Sequence, residues 1–364
     1  MKFNRRTALR SAMLAAGGAA VAGTAATPLG AGEATALPIP VPRTGAHLVL
    51  LGTAAGPVPM AGRTGVSTAL VVDGHIYLID FGHGAFEQFQ RSGLAIGDLD
   101  RIFVTHMHSD HLADLFTLLW LRFGGVDPMT HPVHIHGPAS ARELPDFIGR
   151  PGGTVNPDNP TPGLADFLRL NTAAAAYDIN TRMRDEGWPD FRSMFHGHEI
   201  PTPDVGASAR GNVAPRMKPF TVMSDARVRV SAILVEHPPI FPSYGFRFDT
   251  RYGSVVVSGD TTITPNMVTL ARGADVLVHE VIDLKVVRNA GGLSPEQVQH
   301  HERAHSDVTR VGALAAEAGV KTLVLNHLAP GTKEIPDLLW LTQAQRGFRG
   351  RVIVGNDLMR LPLG

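Results

Sequence analysis

The stretch of this 364-residue sequence that decides its fold reads Thr105-His106-Met107-His108-Ser109-Asp110-His111. Three imidazoles and one carboxylate stand within it, and both groups bind divalent cations. His106 and His108 are one residue apart after a short apolar segment, so an extended backbone lets both face one ion. Asp110 and His111 fall where a helix is predicted to begin, and they can face a second ion. We therefore predict that one loop supplies ligands to two metals.

Three further metal-binding side chains each follow an apolar segment that we predict to be a β-strand. These side chains are His237, Asp260 and His327, and the strands are predicted at 228–236, 254–258 and 322–325. In layered α/β folds, functional sites collect at the carboxyl ends of strands. The three side chains are therefore expected to meet the His106–His111 loop at one edge.

Strands and helices alternate along the chain after about residue 42, and a set of strands followed by a helix occurs twice. This order predicts two sheets flanked by helices. One helix is predicted at Asp307–Ala318, with Ser306 as its N-cap and Gly319 just past its end. Residues 137–217 are rich in Pro, Gly, Ala and Asn and lack clear strand periodicity, and we interpret them as an insertion that covers the site.

The order H-x-H-x-D-H, then His, Asp and His, resembles the metallo-β-lactamase superfamily. Segments that resemble its ribonuclease Z branch are Leu51-Gly52-Thr53, Ser258-Gly259-Asp260-Thr261, Pro242-Ser243-Tyr244-Gly245-Phe246, His279-Glu280 and Ala304-His305-Ser306. The resemblance covers roughly residues 46–361 apart from the insertion, and it extends to exported arylsulfatase-like and phosphodiesterase-like hydrolases. It implies an α/β (α+β) fold, a four-layer αββα metallo-β-lactamase sandwich with an inserted lobe.

The resemblance also implies a dinuclear metal centre. In it, the first metal is held by His106, His108 and His237, the second by Asp110, His111 and His327, and Asp260 bridges them. Two zinc ions suit these ligands, and manganese or iron are alternatives. Two dications roughly 3.5–4 Å apart activate a shared water, so a bridging hydroxide is expected to attack the substrate.

Three residues are predicted to take part in catalysis. Asp110 is expected to orient the nucleophile as well as to bind metal. His305 is expected to act as a general acid or electrophilic helper, and Glu280 to hold it in one tautomer. The alternative for His305 is a structural role in the core or in helix capping. The other histidines, among them His134, His136, His196, His198, His300 and His301, are interpreted as structural or solvated residues.

Composition excludes several other kinds of site. Lys+Arg and Asp+Glu both number 33, so the formal net charge is zero and no general affinity for nucleic acid or anionic membranes is indicated. The sequence has no cysteine, which excludes thiol catalysis, disulfides and cysteine-bound zinc.

The charge of the insertion indicates a substrate class. Residues 139–216 contain eight arginines, no lysine and ten acidic residues, whereas an arm that tracks phosphates should be positive. We therefore expect the substrate to be a small-molecule ester (a phosphodiester, an aryl sulfate or a lactone), and we expect no nucleic-acid partner. Two alternatives stay open: a ribonuclease Z-type endonuclease and a non-catalytic metal-binding protein.

The first residues have the pattern of an export signal. Arg5-Arg6 precede a weakly apolar Ala/Gly run, and a small-residue cleavage motif follows near Ala36. We predict a twin-arginine-type signal peptide at 1–36 and a hydrolase domain at 37–364, in a periplasmic or secreted protein. No membrane span is expected after removal of the signal, and a homodimer is left open.

Overall fold

The computed structural model describes residues 40–148, 152–289 and 291–364, so the predicted signal peptide at 1–36 lies outside the described residues. Two seven-stranded sheets dominate the described part. Their strands are β1 Ala46–Gly52, β2 Ser67–Val72, β3 His75–Ile79, β4 Leu99–Phe103, β5 Val133–Pro138, β6 Phe195–Ile200, β7 Phe220–Ser224, β8 Val228–Leu234, β9 Tyr244–Thr250, β10 Gly253–Val257, β11 Val276–Ile282, β12 Thr322–Ala329, β13 Arg351–Val354 and β14 Met359–Leu363.

The two sheets have matching topologies. The first has the order β14-β1-β2-β3-β4-β5-β6, and the second has the order β13-β12-β11-β10-β9-β8-β7. In each sheet, antiparallel strands give way to a parallel run, which is β3 to β6 in the first and β10 to β13 in the second. The hairpin between β2 and β3 turns at Asp73-Gly74, where both residues have positive φ, as a two-residue type I′ turn requires.

Helices cover the outer faces of both sheets. They are α1 Ala85–Arg91, α2 Ser109–Leu112, α3 Leu115–Arg122, α4 Leu164–Ala174, α5 Ala176–Thr181, α6 Phe191–Met194, α7 Pro265–Ala271, α8 Leu284–Asn289, α9 Pro295–Ala304, α10 Val308–Ala318 and α11 Asp337–Ala344. None of the helices in the described ranges has the length and apolar character needed to span a bilayer.

Three apolar clusters hold the layers together. One lies between the sheets and includes Leu50, Phe103 and Phe246. The other two lie between a sheet and its helices, with Leu119 in the first and Trp340 in the second. The order of layers is therefore helix, sheet, sheet, helix, as predicted, because each sheet buries both faces.

Several predicted boundaries differ from the structure for identifiable reasons. The helix that is predicted to begin at Asp110 and His111 is divided into α2 and α3, because the Asp114 N–H donates to the Phe81 carbonyl instead of continuing the helical ladder. The N-cap of α10 is Asp307, whose side chain accepts from the Thr309 N–H, and not Ser306. Ser306 is buried, and its hydroxyl donates to the Thr261 carbonyl instead.

Strands β6 and β7 lie in or beside the predicted insertion, where no strand was predicted. Most side chains of β6 are exposed and polar, so the strand shows no apolar alternation. Its backbone pairs in parallel with β5, with His134 opposite His196 and His136 opposite His198. Backbone pairing thus extends the first sheet into the inserted lobe.

Candidate metal centre

The loop after β4 is held by a buried carboxylate. Asp80 follows β3 with a φ of 55°, and its two oxygens accept from the Thr105 N–H and the Thr105 hydroxyl, each at 2.8 Å. These bonds fix the start of the His106–His111 loop against the neighbouring strand end. The loop therefore stands at the carboxyl edge of the first sheet, as the sequence predicts.

The structure brings all seven predicted metal-binding residues together in two groups. In each group, every residue offers one donor atom, and these donor atoms all lie within 4.8 Å of one another. The first group is His106, His108, His237 and Asp260, and the second is Asp110, His111, Asp260 and His327. Asp260 belongs to both groups, which is the arrangement that the resemblance implies.

The two oxygens of Asp260 face different groups. Its Oδ2 lies 3.9 Å from Nε2 of both His106 and His237, and its Oδ1 lies 3.4 Å from Nε2 of both His111 and His327. Ligands about 2.0–2.2 Å from one tetrahedral ion lie roughly 3.3–3.6 Å apart. The spacing in the second group matches this value, and that in the first is a little wider.

Unpartnered polar atoms show that the cluster fits bound cations. Nε2 of His106, Nε2 of His111 and Oδ1 of Asp260 are buried and have no hydrogen-bond partner among the described residues. Burying a polar atom without a partner costs free energy, so such atoms need an explanation. Coordination of a cation would satisfy all three, and the His and Asp groups could therefore hold metal.

Two imidazoles of these groups are oriented by contacts that the sequence does not indicate. Nδ1 of His111 lies 2.8 Å from Oδ2 of Asp80, and Nδ1 of His237 lies 2.9 Å from the Ala304 carbonyl. Each contact places the proton on Nδ1 and leaves Nε2 free to coordinate. The only sequence signal was the position of Asp80 at the end of a strand, since its distance from His111 in sequence hid the contact.

The backbone near the cluster is specialised. His327 lies inside β12, not after a strand as predicted, and it is the extra residue of a bulge between Glu280 and Val281 of β11. Its φ of 43° is unusual for a residue other than glycine. Residue 56 has to be glycine for its backbone to lie this close to Asp110, because a Cβ at position 56 would lie 2.1 Å from Cβ of Asp110.

Burial and charge control protonation within the cluster. Burial lowers the pKa of His106 and His237 well below the usual value for histidine, so both favour the neutral, metal-binding form. Burial alone would also lower the pKa of His111, but the surrounding carboxylates outweigh it and raise that pKa well above its usual value. Burial opposes ionisation of Asp260, yet the neighbouring imidazoles lower its pKa well below the usual range.

His305 and Glu280 contact each other next to the second group, which is the pairing that the sequence predicts. Nδ1 of His305 is 3.1 Å from Oε1 of Glu280, and the same oxygen accepts from the backbone N–H groups of Thr261 and Ser306. Burial alone would lower the pKa of His305, but the Glu280 carboxylate outweighs it and raises that pKa to about 9. His305, Glu280 and His327 also form a third group of donor atoms within 4.8 Å of one another.

Several histidines that were interpreted as structural or solvated lie close to other histidines. His300 lies in α9, and its ring centroid is 5.9 Å from that of His237 and 5.7 Å from that of His305. It therefore borders the cluster, although its segment looked merely polar. His134, His136 and His198 stack on the first sheet, with Nδ1 of His134 lying 2.8 Å from Nε2 of His198.

A cavity of about 710 Å³ opens beside the cluster. His108 and its neighbours form one edge of this cavity, α3 and α4 form two walls, and the loop after His237 forms another. Its size lies within the range of roughly 300–1,000 Å³ that is typical of ligand pockets. Residues of the predicted insertion therefore line a cavity that adjoins the His and Asp groups.

Comparison with known proteins agrees with this geometry. Residues 61–164 match the model of the metallo-beta-lactamase superfamily. The chain is 31% identical over 318 residues to ribonuclease Z of Mycobacterium avium (strain 104), covering 86% of this chain and 97% of the relative. Among solved structures, the short form of human tRNase Z aligns with a TM-score of 0.59 and 21% identity, covering 87% of this chain and 99% of that one. The metallo-beta-lactamase fold protein YhfI of Bacillus subtilis aligns with a TM-score of 0.57 and 17% identity, covering 87% and 98%.

These comparisons overturn one prediction. A small-molecule ester substrate with no nucleic-acid partner was expected, but relatives along nearly the whole chain are named ribonucleases. The prediction was wrong because it used the net charge of residues 139–216 as a test for RNA. That charge bears only on whether this segment tracks phosphates, since RNA can also be held at the metals or through its bases.

Proposed function

Because this chain belongs to the ribonuclease Z branch of the metallo-β-lactamase superfamily, we propose that it is an endoribonuclease that hydrolyses a phosphodiester bond in RNA. The chain is a metallo-hydrolase by family, and the proposal concerns its substrate. The observation that carries it is the pair of donor groups that share Asp260. Two adjacent cations suit phosphodiester hydrolysis, because they stabilise charge on both the attacking and the leaving oxygen.

The metals are proposed to be two zinc ions. His106, His108 and His237 would hold one, Asp110, His111 and His327 would hold the other, and Asp260 would contact both. Imidazole and carboxylate donors without thiolate suit zinc, while manganese and iron accept the same ligands. When bound, the ions supply an activated water and positive charge for the reaction.

The remaining chemistry falls to side chains around the cluster. Oδ2 of Asp110 accepts from the Gly56 N–H at 3.0 Å and lies 3.3 Å from Nε2 of His327, so the carboxylate is fixed beside the reacting centre. It would orient the attacking water. His305, held through Nδ1 by Glu280, is left with Nε2 to donate to the phosphate or to the departing oxygen.

The cellular site of action is also a proposal. Residues 1–36 would direct export and be removed, which places the enzyme in the periplasm or outside the cell. An exported ribonuclease would meet RNA released outside the cytoplasm, whereas a retained enzyme would meet nascent tRNA precursors. Fractionation of cells that express a C-terminally tagged chain tests this: a full-length form confined to the cytoplasm contradicts export.

The activity is tested with two RNAs, a tRNA precursor bearing a 3′ extension and an unstructured RNA of equal length. The purified chain should cleave at least one of them, and a chelator should abolish cleavage. Asp260→Asn, purified in parallel, is the matched control for contaminating nucleases and should be inactive. Cleavage of neither RNA by zinc-loaded protein, or equal cleavage by the variant, would refute the proposal.

A further inference from the structure

The cavity beside the metal cluster has walls that differ from those expected for a phosphate groove. Phe116 and Trp120 project from α3, Phe167 projects from α4, and Phe241 comes from the loop after His237. These rings are partly or largely buried, and they line the cavity from several sides. Aromatic walls of this kind suit flat, uncharged rings.

The charges of the side chains that line the cavity also favour an uncharged ligand. Within the ranges that the structure describes, the ionisable side chains that line the cavity are His108 and Glu143, and no lysine or arginine lines it. A nucleic-acid backbone would bring several negative charges into this space without a counter-charge. The phosphates of a bound RNA therefore have to stay at the cation-binding cluster, outside the cavity.

One of the aromatic walls is held in a fixed orientation. The Trp120 indole N–H donates to Oδ2 of Asp178 at 2.8 Å, and the same carboxylate pairs with the guanidinium of Arg182 at 3.0 Å. Asp178 and Arg182 lie outside the lining, so this anchor fixes the ring from behind. A ring that is fixed before binding loses little conformational entropy when a ligand stacks on it.

Polar groups stand between the aromatic walls. Thr117, Thr161, Asn171 and Glu143 all contribute to the lining. The Asn171 amide nitrogen donates to the Phe167 carbonyl at 2.8 Å, which fixes the orientation of the amide oxygen as an acceptor. Such groups match the donors and acceptors on the edges of nucleobases.

From these observations we propose that the cavity receives unstacked nucleobases of the RNA next to the scissile phosphate. This inference rests on the proposed function and adds the way in which the substrate is recognised. The phosphate lies at the metal cluster, and the adjoining bases turn inward past His108 to stack on Trp120 and Phe167. Recognition thus depends on base stacking. A positively charged arm would instead recognise the phosphate backbone of the RNA.

The test compares an RNA that the enzyme cleaves with versions of it that lack a base at one of the nucleotides flanking the scissile bond. Loss of the stacking of one base should lower kcat/KM about 5- to 150-fold for the abasic RNA. The fall should lie mainly in KM if the base contributes equally before and during the reaction. Raising the salt concentration should weaken binding less steeply than for a protein that makes many phosphate contacts.

Variants of the cavity wall identify where the base is bound. Trp120→Leu and Phe167→Leu should each lower kcat/KM for the intact RNA and reduce the difference between intact and abasic RNA to within about threefold. Tyr177→Ala removes an aromatic ring from the same lobe that is 86% exposed and outside the cavity, and it should leave that difference unchanged. Because the two variants lie on different helices, the test still stands if one of them misfolds.

Three results would overturn the inference. If intact and abasic RNA are cleaved equally, the enzyme is a ribonuclease but its cavity does not bind bases. If both wall variants keep the full difference, the bases are bound elsewhere. If no RNA is cleaved and an apolar small molecule fills the cavity, the proposed function fails, and this inference fails with it.

Discussion

Asp80 is the residue on which the orientation of the metal-binding loop depends. It accepts from Thr105 through both oxygens and contacts Nδ1 of His111 at 2.8 Å, while being almost fully buried. Asp80→Asn keeps the shape of the side chain but removes the charge that favours the Nδ1 proton of His111. Losses of this kind weaken metal binding about 10- to 100-fold. Competition with a chromogenic chelator measures the change.

Asp98→Asn is the matched control for this prediction. Asp98 pairs with the exposed guanidinium of Arg43 at 2.6 Å, away from the metal cluster. The same substitution there should leave metal affinity within about twofold, as expected for a surface ion pair. Equal metal affinity in the two variants would show that Asp80 does not support the site.

His305 is predicted to act in turnover and not in metal retention. His305→Ala should lower kcat on RNA by about 10²- to 10⁴-fold, the usual contribution of a general acid. Bound metal, measured by elemental analysis, should stay at the wild-type level, because the donor atoms of His106, His111 and Asp260 are untouched. Glu280→Gln should cause a smaller loss, since Glu280 affects the reaction through its contact with Nδ1 of His305 and an amide oxygen can still accept from the backbone N–H groups of Thr261 and Ser306.

His301→Ala provides the comparison, because His301 is a histidine on the adjoining helix α9 whose ring centroid lies 5.8 Å from that of His305. It should keep kcat within a few-fold of wild type. A loss of metal in His305→Ala would assign this residue to the coordination of the cations. Unchanged turnover would remove it from the reaction altogether.

At the scale of elements, the sequence predicts those features whose chemistry is local. The loop 105–111 carries its ligands side by side, and β2, β3, β8 and β13 show apolar runs bounded by turns. Strands β6, β7 and β14 are edge strands and were missed, because their pairing comes from backbone hydrogen bonds that leave no side-chain pattern. The contact of Asp80 with His111 was missed, because nothing in the local pattern of either residue marks the other as its partner.

The pairing of β5 with β6 creates an acid-sensitive contact. His136 stacks on Phe103 with a centroid distance of 5.1 Å and on His198 at 4.8 Å, and it is 8% exposed. Burial, together with the smaller effects of the charges of His198 and Arg101, lowers the pKa of His136 to about 3. Because the folded-state pKa lies below the unfolded value of about 6.5, stability is present above that pH and is lost as pH falls below it.

We therefore expect His136→Phe to stabilise the protein selectively in acid. Phenylalanine can stack on Phe103 and carries no proton to bind. Between pH 7 and pH 5 the wild type should lose about 1–2 kcal/mol more of its free energy of unfolding than the variant does. Denaturant unfolding at pH 8, 7, 6 and 5 measures this, with pH 8 as the reference for packing differences. Parallel curves for the two proteins would contradict the assignment.

At the scale of the whole molecule, the metal cluster joins the two halves of the sandwich. The His106–His111 loop belongs to the first sheet, whereas His237, Asp260 and His327 follow or lie in strands of the second. The sheets already share an apolar layer that includes Phe103, Phe246 and Val324. The fold therefore does not need metal to form its core. The proposed metal site lies at the edge where side chains from the first sheet meet side chains from the second.

Removal of the metal should accordingly lower stability without unfolding the chain at ambient temperature. A ligand that binds only the folded state adds about 2.7 kcal/mol when its free concentration is 100 times its Kd. With an unfolding entropy of about 2.1 cal/mol/K per residue, the unfolding midpoint of a domain of this size should then fall by roughly 4 °C for each ion that the chelator removes. Readdition of zinc should restore both the midpoint and RNA cleavage. Asp260→Asn disrupts both donor groups, so its midpoint should barely respond to chelator. A wild-type midpoint that is indifferent to chelator, with full activity retained, would mean that these seven residues hold no ion, and the proposed chemistry would lose its basis.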